Sequence, residues 1–268
     1  MHFKLCIKTY ACAAATSLLL LSCAGTYKIE GSSDSSQLDG RMVHLKVIKD
    51  HVLKSIDSCD VVHGEFHFSG TIDTAKMANL CVDNDILMPL VLEDGNISIK
   101  LSSTQQNVTG TPLNDELSGF LSHYNQIINQ KAELIHKHDQ AIMDGSDMDA
   151  IIKQLNEESY MLDIQEDSLI TNFVTEHFDN VLGPGVFFLL TIGMQYPELT
   201  PWIEDIMSKA TTYFKNDPYV KEFYDKAREN QRIMNGMQDL PAQQAPAPQQ
   251  NVPVSPVPTP NQLAAPQK

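Results

Sequence analysis

The spacing of apolar residues changes once along this chain, near Leu113, and that change constrains the fold more than any other feature. From Tyr27 to about Thr111 apolar and polar residues alternate, as in Val43-His44-Leu45-Lys46-Val47, which is typical of strands with one buried face. After Leu113 the apolar residues recur every three or four positions and form one stripe of a helix. The sequence therefore predicts an α+β chain: an antiparallel β sandwich or open barrel over residues 23–113, then an all-helical segment over residues 114–236.

Turn residues refine the predicted β region. Asp94-Gly95 predicts a hairpin between Met88–Glu93 and Asn96–Ser102, because both turn residues accept positive φ. His63-Gly64 predicts a second turn ahead of Glu65–Ser69. Both turns fit a small antiparallel fold with short connections.

Cap residues, prolines and glycines set the predicted helix ends. Asn114 is a suitable N-cap for the first helix, and the second is expected from about Asp147 to Phe178. Gly183-Pro184-Gly185 should then break the chain. Two later helices should begin at prolines, one at Pro201 and one at Pro218. The last helix should end near Gly236. Because no flexible linker separates the two regions, the first helix should pack against the sheet near Leu113–Phe120.

The first residues have the three parts of an export signal. Lys4 and Lys8 are basic, Ala11–Leu21 is almost wholly apolar, and small residues follow. An apolar run of about 11 residues is too short to cross the roughly 30 Å hydrocarbon core of a bilayer. The run ends in Leu20-Leu21-Ser22-Cys23, the pattern of a lipobox. We expect residues 1–22 to be a lipoprotein signal peptide, cut before Cys23, whose thiol carries lipid. An ordinary export signal with an incidental cysteine is the alternative.

The acyl chains on Cys23 make the lipid bilayer the first expected partner. Each buried CH₂ contributes about 0.8 kcal/mol, so several chains make detachment negligible. Ala24 follows the cysteine, and neither an aspartate nor an acidic run comes next. Lipoproteins held at an inner membrane can carry that aspartate, and those sent to the outer surface can carry acidic runs. The expected location is the periplasmic face of an outer membrane, and surface exposure is the less favoured alternative.

The mature chain is strongly acidic. Without Lys4 and Lys8, 17 basic residues face 34 acidic ones, a formal charge of −17. Nucleic acid and anionic headgroups both require clustered Lys and Arg, so neither is an expected partner. A protein of the cell envelope is a possible partner.

Two cysteines remain in the mature chain besides Cys23. Cys59 and Cys81 are not arranged as CxxC, so a thioredoxin-type redox site is not expected. An oxidising compartment would permit one disulfide between them. Two separate buried thiols are the alternative.

No motif in the sequence indicates a catalytic or metal site. The chain has no GxSxG elbow, no phosphate-binding loop and no dinucleotide fingerprint. His63 and His67 flank a turn without a specified third ligand, and His136 and His138 point to different faces of a helix. We therefore expect no catalytic residue, no metal, no cofactor and no enzymatic activity. An enzyme of an unrecognised type stays open as a minor alternative.

Short segments of the β region resemble one known family in their order and spacing. They are Tyr27-Lys28-Ile29-Glu30-Gly31, Val43-His44-Leu45, Ile56-Asp57-Ser58, Val62–Gly70, Leu92–Ile97 and Val108–Asn114. Together they resemble the β domain catalogued as domain of unknown function 4369, found in lipoproteins of Bacteroides-like bacteria. The resemblance covers Tyr27 to about Asn125.

The resemblance implies a place beside thiol-disulfide chemistry. In many such proteins this domain and a helical segment precede a periplasmic thioredoxin-like domain with a CxxC. Here residues 237–268, which contain eight of the 14 prolines, stand in that place. By composition we expect them to be a disordered tail that acts as a spacer or a docking ligand. The leading functional hypothesis is a membrane-anchored, non-enzymatic binding or scaffold module. The alternative is an accessory component that presents clients to a separate thioredoxin-like oxidoreductase.

Overall fold

The computed structural model describes residues 24–49, 52–83, 85–102 and 106–236. The expected signal peptide, Cys23 and the expected tail over residues 237–268 lie outside the described residues. Strands fill the first part of the described chain and helices the second, which confirms the predicted α+β class. Among the described helices, none combines the length and apolarity needed to cross a bilayer.

The strands form two four-stranded sheets that face each other. Sheet A has the order β4-β1-β7-β8, and sheet B has the order β3-β2-β5-β6. In chain order the strands are β1 (Gly25–Ser33), β2 (Met42–Lys49), β3 (Val52–Asp60), β4 (Glu65–Ile72), β5 (Lys76–Val82), β6 (Asp85–Leu92), β7 (Gly95–Leu101) and β8 (Gln106–Thr109). The predicted sandwich is therefore present.

Alternation along the strands builds the core between the sheets. In sheet A, Ile29 and Ile97 are buried, whereas Lys28 and Asn96 face solvent. Sheet B contributes alternate residues in the same way, including Leu45 and Leu80. This arrangement follows from the period of two in a pleated strand.

The predicted hairpin at Asp94-Gly95 is wrong. Strands β6 and β7 belong to different sheets, and β7 runs parallel to β1, with Tyr27 opposite Gly95. The turn therefore carries the chain from one sheet to the other, because Leu92 and Ile97 must both reach the same core. Instead of closing a hairpin, the Asp94 carboxylate accepts a hydrogen bond from the Thr26 amide at 2.6 Å. The turn at His63-Gly64 is confirmed, with φ of 53° and 76°.

Six helices follow in the described residues. They are α1 (Pro112–Met143), α2 (Met148–Glu176), α3 (Leu182–Thr191), α4 (Pro201–Lys209), α5 (Thr212–Asn216) and α6 (Pro218–Met234). The predicted helix starts at Pro201 and Pro218 and the predicted end near Gly236 are confirmed. The second helix begins after Asp147, whose side chain accepts a hydrogen bond from the Asp149 amide. Helices α1 and α2 form a long antiparallel hairpin.

Two predicted helix boundaries need correction. The first helix begins at Pro112, with Thr111 at the N-cap position, so Asn114 is not the cap. Proline suits the first helical position because that residue needs no amide donor. Gly183-Pro184-Gly185 does not break the chain but opens α3. A Cβ on Gly183 would overlap the carbonyl oxygen of His177, and a Cβ on Gly185 would overlap the side chain of Met77. These glycines let α3 approach its neighbours closely.

The helices pack on the outer face of sheet B. Val91 of β6 shares a buried cluster with Leu117 and Phe120 of α1 and with the helices that follow. The Glu93 carboxylate accepts hydrogen bonds from the amides of Leu113 at 2.9 Å and Asn114 at 3.1 Å, which satisfies two free donors at the start of α1. The expected contact between the first helix and the sheet is therefore present.

Candidate functional site

A cleft of about 600 Å³ lies between the outer face of sheet B and the helices. The strand wall comes from the end of β2 and from β5, and the helix wall comes from α3, α5 and the start of α6. The apolar and aromatic residues of its lining include Val47, Ile48, Met77, Phe188, Leu189, Tyr213, Pro218 and Tyr219. This volume and this lining fall in the range of small-ligand and peptide sites.

The strand wall exists because β5 is apolar on both faces. Ala78, Leu80 and Val82 point into the sandwich, whereas Met77 contacts the helical cluster from the opposite face. Asn79 lies on the same face as Met77, between strand neighbours Lys46 of β2 and Pro89 of β6. A polar residue thus lies within an otherwise apolar wall.

Asn79 is the least satisfied polar group of this cleft. The residue is 3% exposed, and its side-chain oxygen has no hydrogen-bond partner. An unpaired buried acceptor destabilises a fold by about 1–3 kcal/mol. Native chains rarely leave such an atom unpaired, so the Asn79 oxygen makes this cleft the candidate binding site.

The aromatic side of the cleft is rigid. The rings of Phe188 and Tyr219 meet edge to face, with centroids 4.7 Å apart. The Tyr219 hydroxyl is 3.0 Å from the Thr191 hydroxyl, which donates to the Phe187 carbonyl at 2.7 Å. Burial raises the pKa of Tyr219, and Glu222 raises it further against the opposing effect of Thr191. Tyr219 therefore stays neutral and serves as a fixed wall.

The carboxylate in the cleft already has a structural role. Asp217 caps α6, and its oxygen accepts hydrogen bonds from the amides of Tyr219 at 3.0 Å and Val220 at 3.1 Å. Lys49 and Lys76 are the other charged residues along the lining. Two lysines and one carboxylate give the lining a formal charge of +1 within a strongly acidic chain.

A second groove, of about 810 Å³, lies between β6, β8 and the first half of α1. Amide and hydroxyl side chains dominate its lining, including Asn107, Ser122, Asn125 and Asn129. In the part of the chain that the structure describes, the unpaired buried side-chain atoms belong to Asn79, His177 and Thr200, and none of these residues lines this groove. The smaller cleft is therefore the better candidate.

The two cysteines lie apart. Cys59 of β3 is paired with Val43 of β2, whereas Cys81 of β5 is paired with the next β2 residue, His44, so the two thiols point to opposite faces of sheet B. Both are free, and the disulfide that the sequence left open is not formed in this structure. Burial raises the pKa of each thiol, which disfavours the thiolate needed for exchange.

The histidines considered as metal ligands do not lie together in one site. His63 lies in the turn before β4, His67 lies within β4, and His136 and His138 lie on α1. Across residues 24–49, 52–83, 85–102 and 106–236, no three His, Cys, Asp or Glu residues are grouped closely enough to hold a metal ion.

Sequence reasoning did not single out Asn79, Phe188 or Tyr219. One signal was available: Asn79 is the lone polar residue in Met77-Ala78-Asn79-Leu80-Cys81-Val82. A polar residue inside an apolar strand needs either a partner or a ligand. Nothing in the sequence indicates that α3 and α6 lie opposite it.

Comparison with known proteins assigns the β region to a family. Residues 27–117 match the family model described as Domain of unknown function (DUF4369). No curated protein matches the chain. The matched residues include β5 and Asn79 but end within α1, so the helix wall of the cleft comes from outside the matched region.

Proposed function

Residues 27–117 are a DUF4369 domain, and from this premise we propose that the chain is a non-enzymatic binding module of the cell envelope, anchored through lipid on Cys23. The ligand is held in the cleft between the DUF4369 domain and the helices. The unpaired, buried oxygen of Asn79, in a cleft that aromatic residues also line, carries the proposal.

Hydrogen-bonding chemistry defines the ligand in part. The free atom of Asn79 is an acceptor, so the ligand brings an N–H or O–H donor to it. Burial of apolar ligand surface against Met77, Phe188 and Tyr219 adds about 25 cal/mol per Å². An apolar peptide segment that presents a backbone amide meets both conditions.

The polar groups of the cleft favour binding over catalysis. Asp217 is committed to the cap of α6, and Tyr219 is held neutral by burial. A general acid or base needs a pKa near the working pH, and burial raises the pKa of Tyr219 away from it.

Site-specific photo-crosslinking tests the proposal. A benzoylphenylalanine at Tyr213, which lines the cleft, should capture the ligand in intact cells and give an adduct detectable by mass spectrometry. The same probe at Tyr196, an exposed tyrosine outside the cleft, is the matched control. Addition of Asn79→Leu should remove the adduct at position 213, because the ligand donor then lacks its acceptor.

Three outcomes show whether the cleft is the binding site and whether its ligand is a thiol-disulfide oxidoreductase. An adduct of equal yield at both positions, or one that survives Asn79→Leu, contradicts the cleft as the binding site. An adduct with a CxxC protein that depends on Asn79 identifies the ligand as a thiol-disulfide oxidoreductase and favours the accessory role.

A further inference from the structure

A buried histidine lies where helices α1, α2 and α3 meet. His177 follows the last residue of α2 and is 9% exposed. Its Nε2 lies 2.6 Å from the Glu116 carboxylate at the start of α1, and its ring stacks on Phe173 with centroids 4.3 Å apart. Because a carboxylate only accepts hydrogen bonds, Nε2 carries the proton and donates it. These contacts hold the neutral ring in one orientation.

The other ring nitrogen of His177 has no use for a proton. The buried Nδ1 has no hydrogen-bond partner among the residues that the structure describes. A proton on Nδ1 would place a hydrogen and a positive charge where nothing accepts them. Burying a charged group without a partner costs more than burying a neutral one, because the charged group loses more hydration. The closed structure therefore disfavours the charged ring.

The charges around the ring do not reverse this preference. Burial lowers the pKa of His177 from the ordinary value of 6.5, against the opposing effects of Glu116 from α1 and Glu176 from α2. Helix α3 has no charged residue. Helix α5, whose N-cap hydroxyl donates to the carbonyl of Phe178, has one charged residue, the exposed Lys215.

The backbone of His177 holds the start of α3. Its carbonyl oxygen accepts a hydrogen bond from the Asn180 amide at 3.2 Å, and the Asn180 side chain accepts one from the Leu182 amide at 2.8 Å. A Cβ on Gly183 would overlap the same carbonyl oxygen, so the first turn of α3 lies directly on it. Residues 177–181, which we call the 177–181 turn, therefore connect the ring to α3.

Helix α3 is also a wall of the cleft. Val181 of the 177–181 turn lines the cleft together with Pro184 and Gly185 of α3. Gly185 lies so close to Met77 of the strand wall that a Cβ would overlap the Met77 side chain. A displacement of the 177–181 turn therefore moves the helix wall relative to the strand wall.

We propose that His177 is a pH-sensitive switch for the helix wall of this cleft. While the ring is neutral, the 177–181 turn is closed on α1 and α3. A proton on Nδ1 is accommodated when the turn opens and the ring reaches water, and α3 then loses its support. The switch stands on the contacts of His177, whereas its effect on a ligand rests on the proposed function of the cleft.

The two states determine the direction of the pH effect. In the open state the ring is hydrated and has the ordinary pKa of 6.5, whereas in the closed state its pKa is lower. The closed state is therefore fully favoured above about pH 6.5 and becomes less favoured as pH falls toward its own pKa. Within that window the population of the open state should rise up to about tenfold for each unit of pH.

Hydrogen exchange of the full chain tests the switch without a ligand. Mass spectrometry follows the amides of residues 178–190 between about pH 5 and pH 8, after correction for the intrinsic pH dependence of exchange. We expect exchange in this segment to rise in acid while the amides of β1, β2 and β5 stay protected. A rise of the same size in the strands would mean global unfolding and would overturn the proposal.

Three variants separate a switch from a purely structural role. His177→Gln keeps a donor toward Glu116 but does not titrate, so its exchange over residues 178–190 should not depend on pH. Glu116→Gln removes a carboxylate that favours the charged ring, so its exchange should rise more in acid than that of the wild-type chain. His123→Gln, at an exposed histidine of α1, is the matched control and should behave like the wild-type chain.

The results distinguish this proposal from the proposed function. Equal pH dependence of exchange in the wild-type chain and His177→Gln, or a smaller acid response in Glu116→Gln than in the wild-type chain, overturns the switch. The expected exchange without any adduct at Tyr213 supports the switch and contradicts the cleft as the binding site. If the cleft is the binding site, the adduct should decrease in acid in the wild-type chain but not in His177→Gln.

Discussion

At the scale of single residues, two buried asparagines differ in their hydrogen bonding. Asn114 accepts from the Val91 amide at 2.8 Å and donates to the Val91 carbonyl at 2.7 Å and to the Thr111 hydroxyl at 2.8 Å. It thereby pairs with the edge of β6 as a neighbouring strand would. The oxygen of Asn79 has no such partner. The first residue joins the two regions, and the second is the acceptor to which the proposed ligand would donate.

Leucine substitutions at these positions should have opposite effects on stability. Asn114→Leu leaves the amide and carbonyl of Val91 unpaired, so we expect the free energy of unfolding to fall by about 2–5 kcal/mol. Asn79→Leu replaces an unpaired acceptor with an apolar side chain of the same branching, beside the space of the cleft, so stability should stay the same or rise. Urea unfolding of both variants measures the difference. A large loss of stability in Asn79→Leu would mean that Asn79 has a structural role.

His177 joins the start of α1 to the end of α2. Its Nε2 lies 2.6 Å from the Glu116 carboxylate, its ring stacks on Phe173 at 4.3 Å, and its buried Nδ1 has no partner. Burial lowers the pKa of His177 from the ordinary value of 6.5, although Glu116 and Glu176 act in the opposite direction. The folded chain therefore disfavours the charged imidazole.

The lowered pKa of His177 predicts a loss of stability in acid. Because the unfolded chain binds the proton more tightly, the stabilising contribution is complete above about pH 6.5 and is lost as pH falls from there toward the folded pKa. In His177→Gln this part of the pH dependence should vanish. Chemical denaturation of both chains between pH 5 and pH 8 is the measurement. If the free energy of unfolding changed with pH in the same way in both chains, the pKa of His177 would be the same in the folded and unfolded states, and the prediction would be wrong.

At the scale of elements, the first turn of α3 depends on a glycine. A Cβ on Gly183 would overlap the backbone carbonyl of His177, which cannot move without disturbing the end of α2. Gly119 lies in α1 with open space around it. The two positions therefore form a matched pair within helices.

Alanine should act in opposite directions at the two glycines. We expect Gly183→Ala to lower the free energy of unfolding by more than about 2 kcal/mol, because overpacked sites lose about 1–3 kcal/mol. Gly119→Ala should raise it by about 0.5–1 kcal/mol through helix propensity. Thermal unfolding of both variants decides this. Equal effects would mean that α3 can shift to accept a side chain.

At the scale of the whole molecule, the proposed membrane anchor depends on one residue outside the described part of the chain, Cys23. We predict that Cys23→Ala moves the protein from the membrane to the soluble fraction, because acyl chains supply the proposed anchoring energy. None of the described helices has the length and apolarity to replace them. Fractionation of cells is the measurement, and a variant that remains in the membrane pellet contradicts the anchor.

The sequence by itself determined the order of the elements. The alternation up to Thr111 and the helical spacing after Leu113 predicted the sandwich and the helices, because each burial pattern is local. Pro201 and Pro218 determined helix starts in the same way, since proline needs no amide partner.

Only the tertiary structure decided where the chain crosses between layers. Gly95 has a positive φ of 126° in the crossover, as it would in a hairpin turn, so which sheet accepts β7 depends on the shared core rather than on the turn. Gly183-Pro184-Gly185 opens a helix because close packing against His177 and Met77 requires small residues. The cleft arises in the same way, since Asn79 and Tyr219 are 140 positions apart and line one cleft only when the helices cover sheet B.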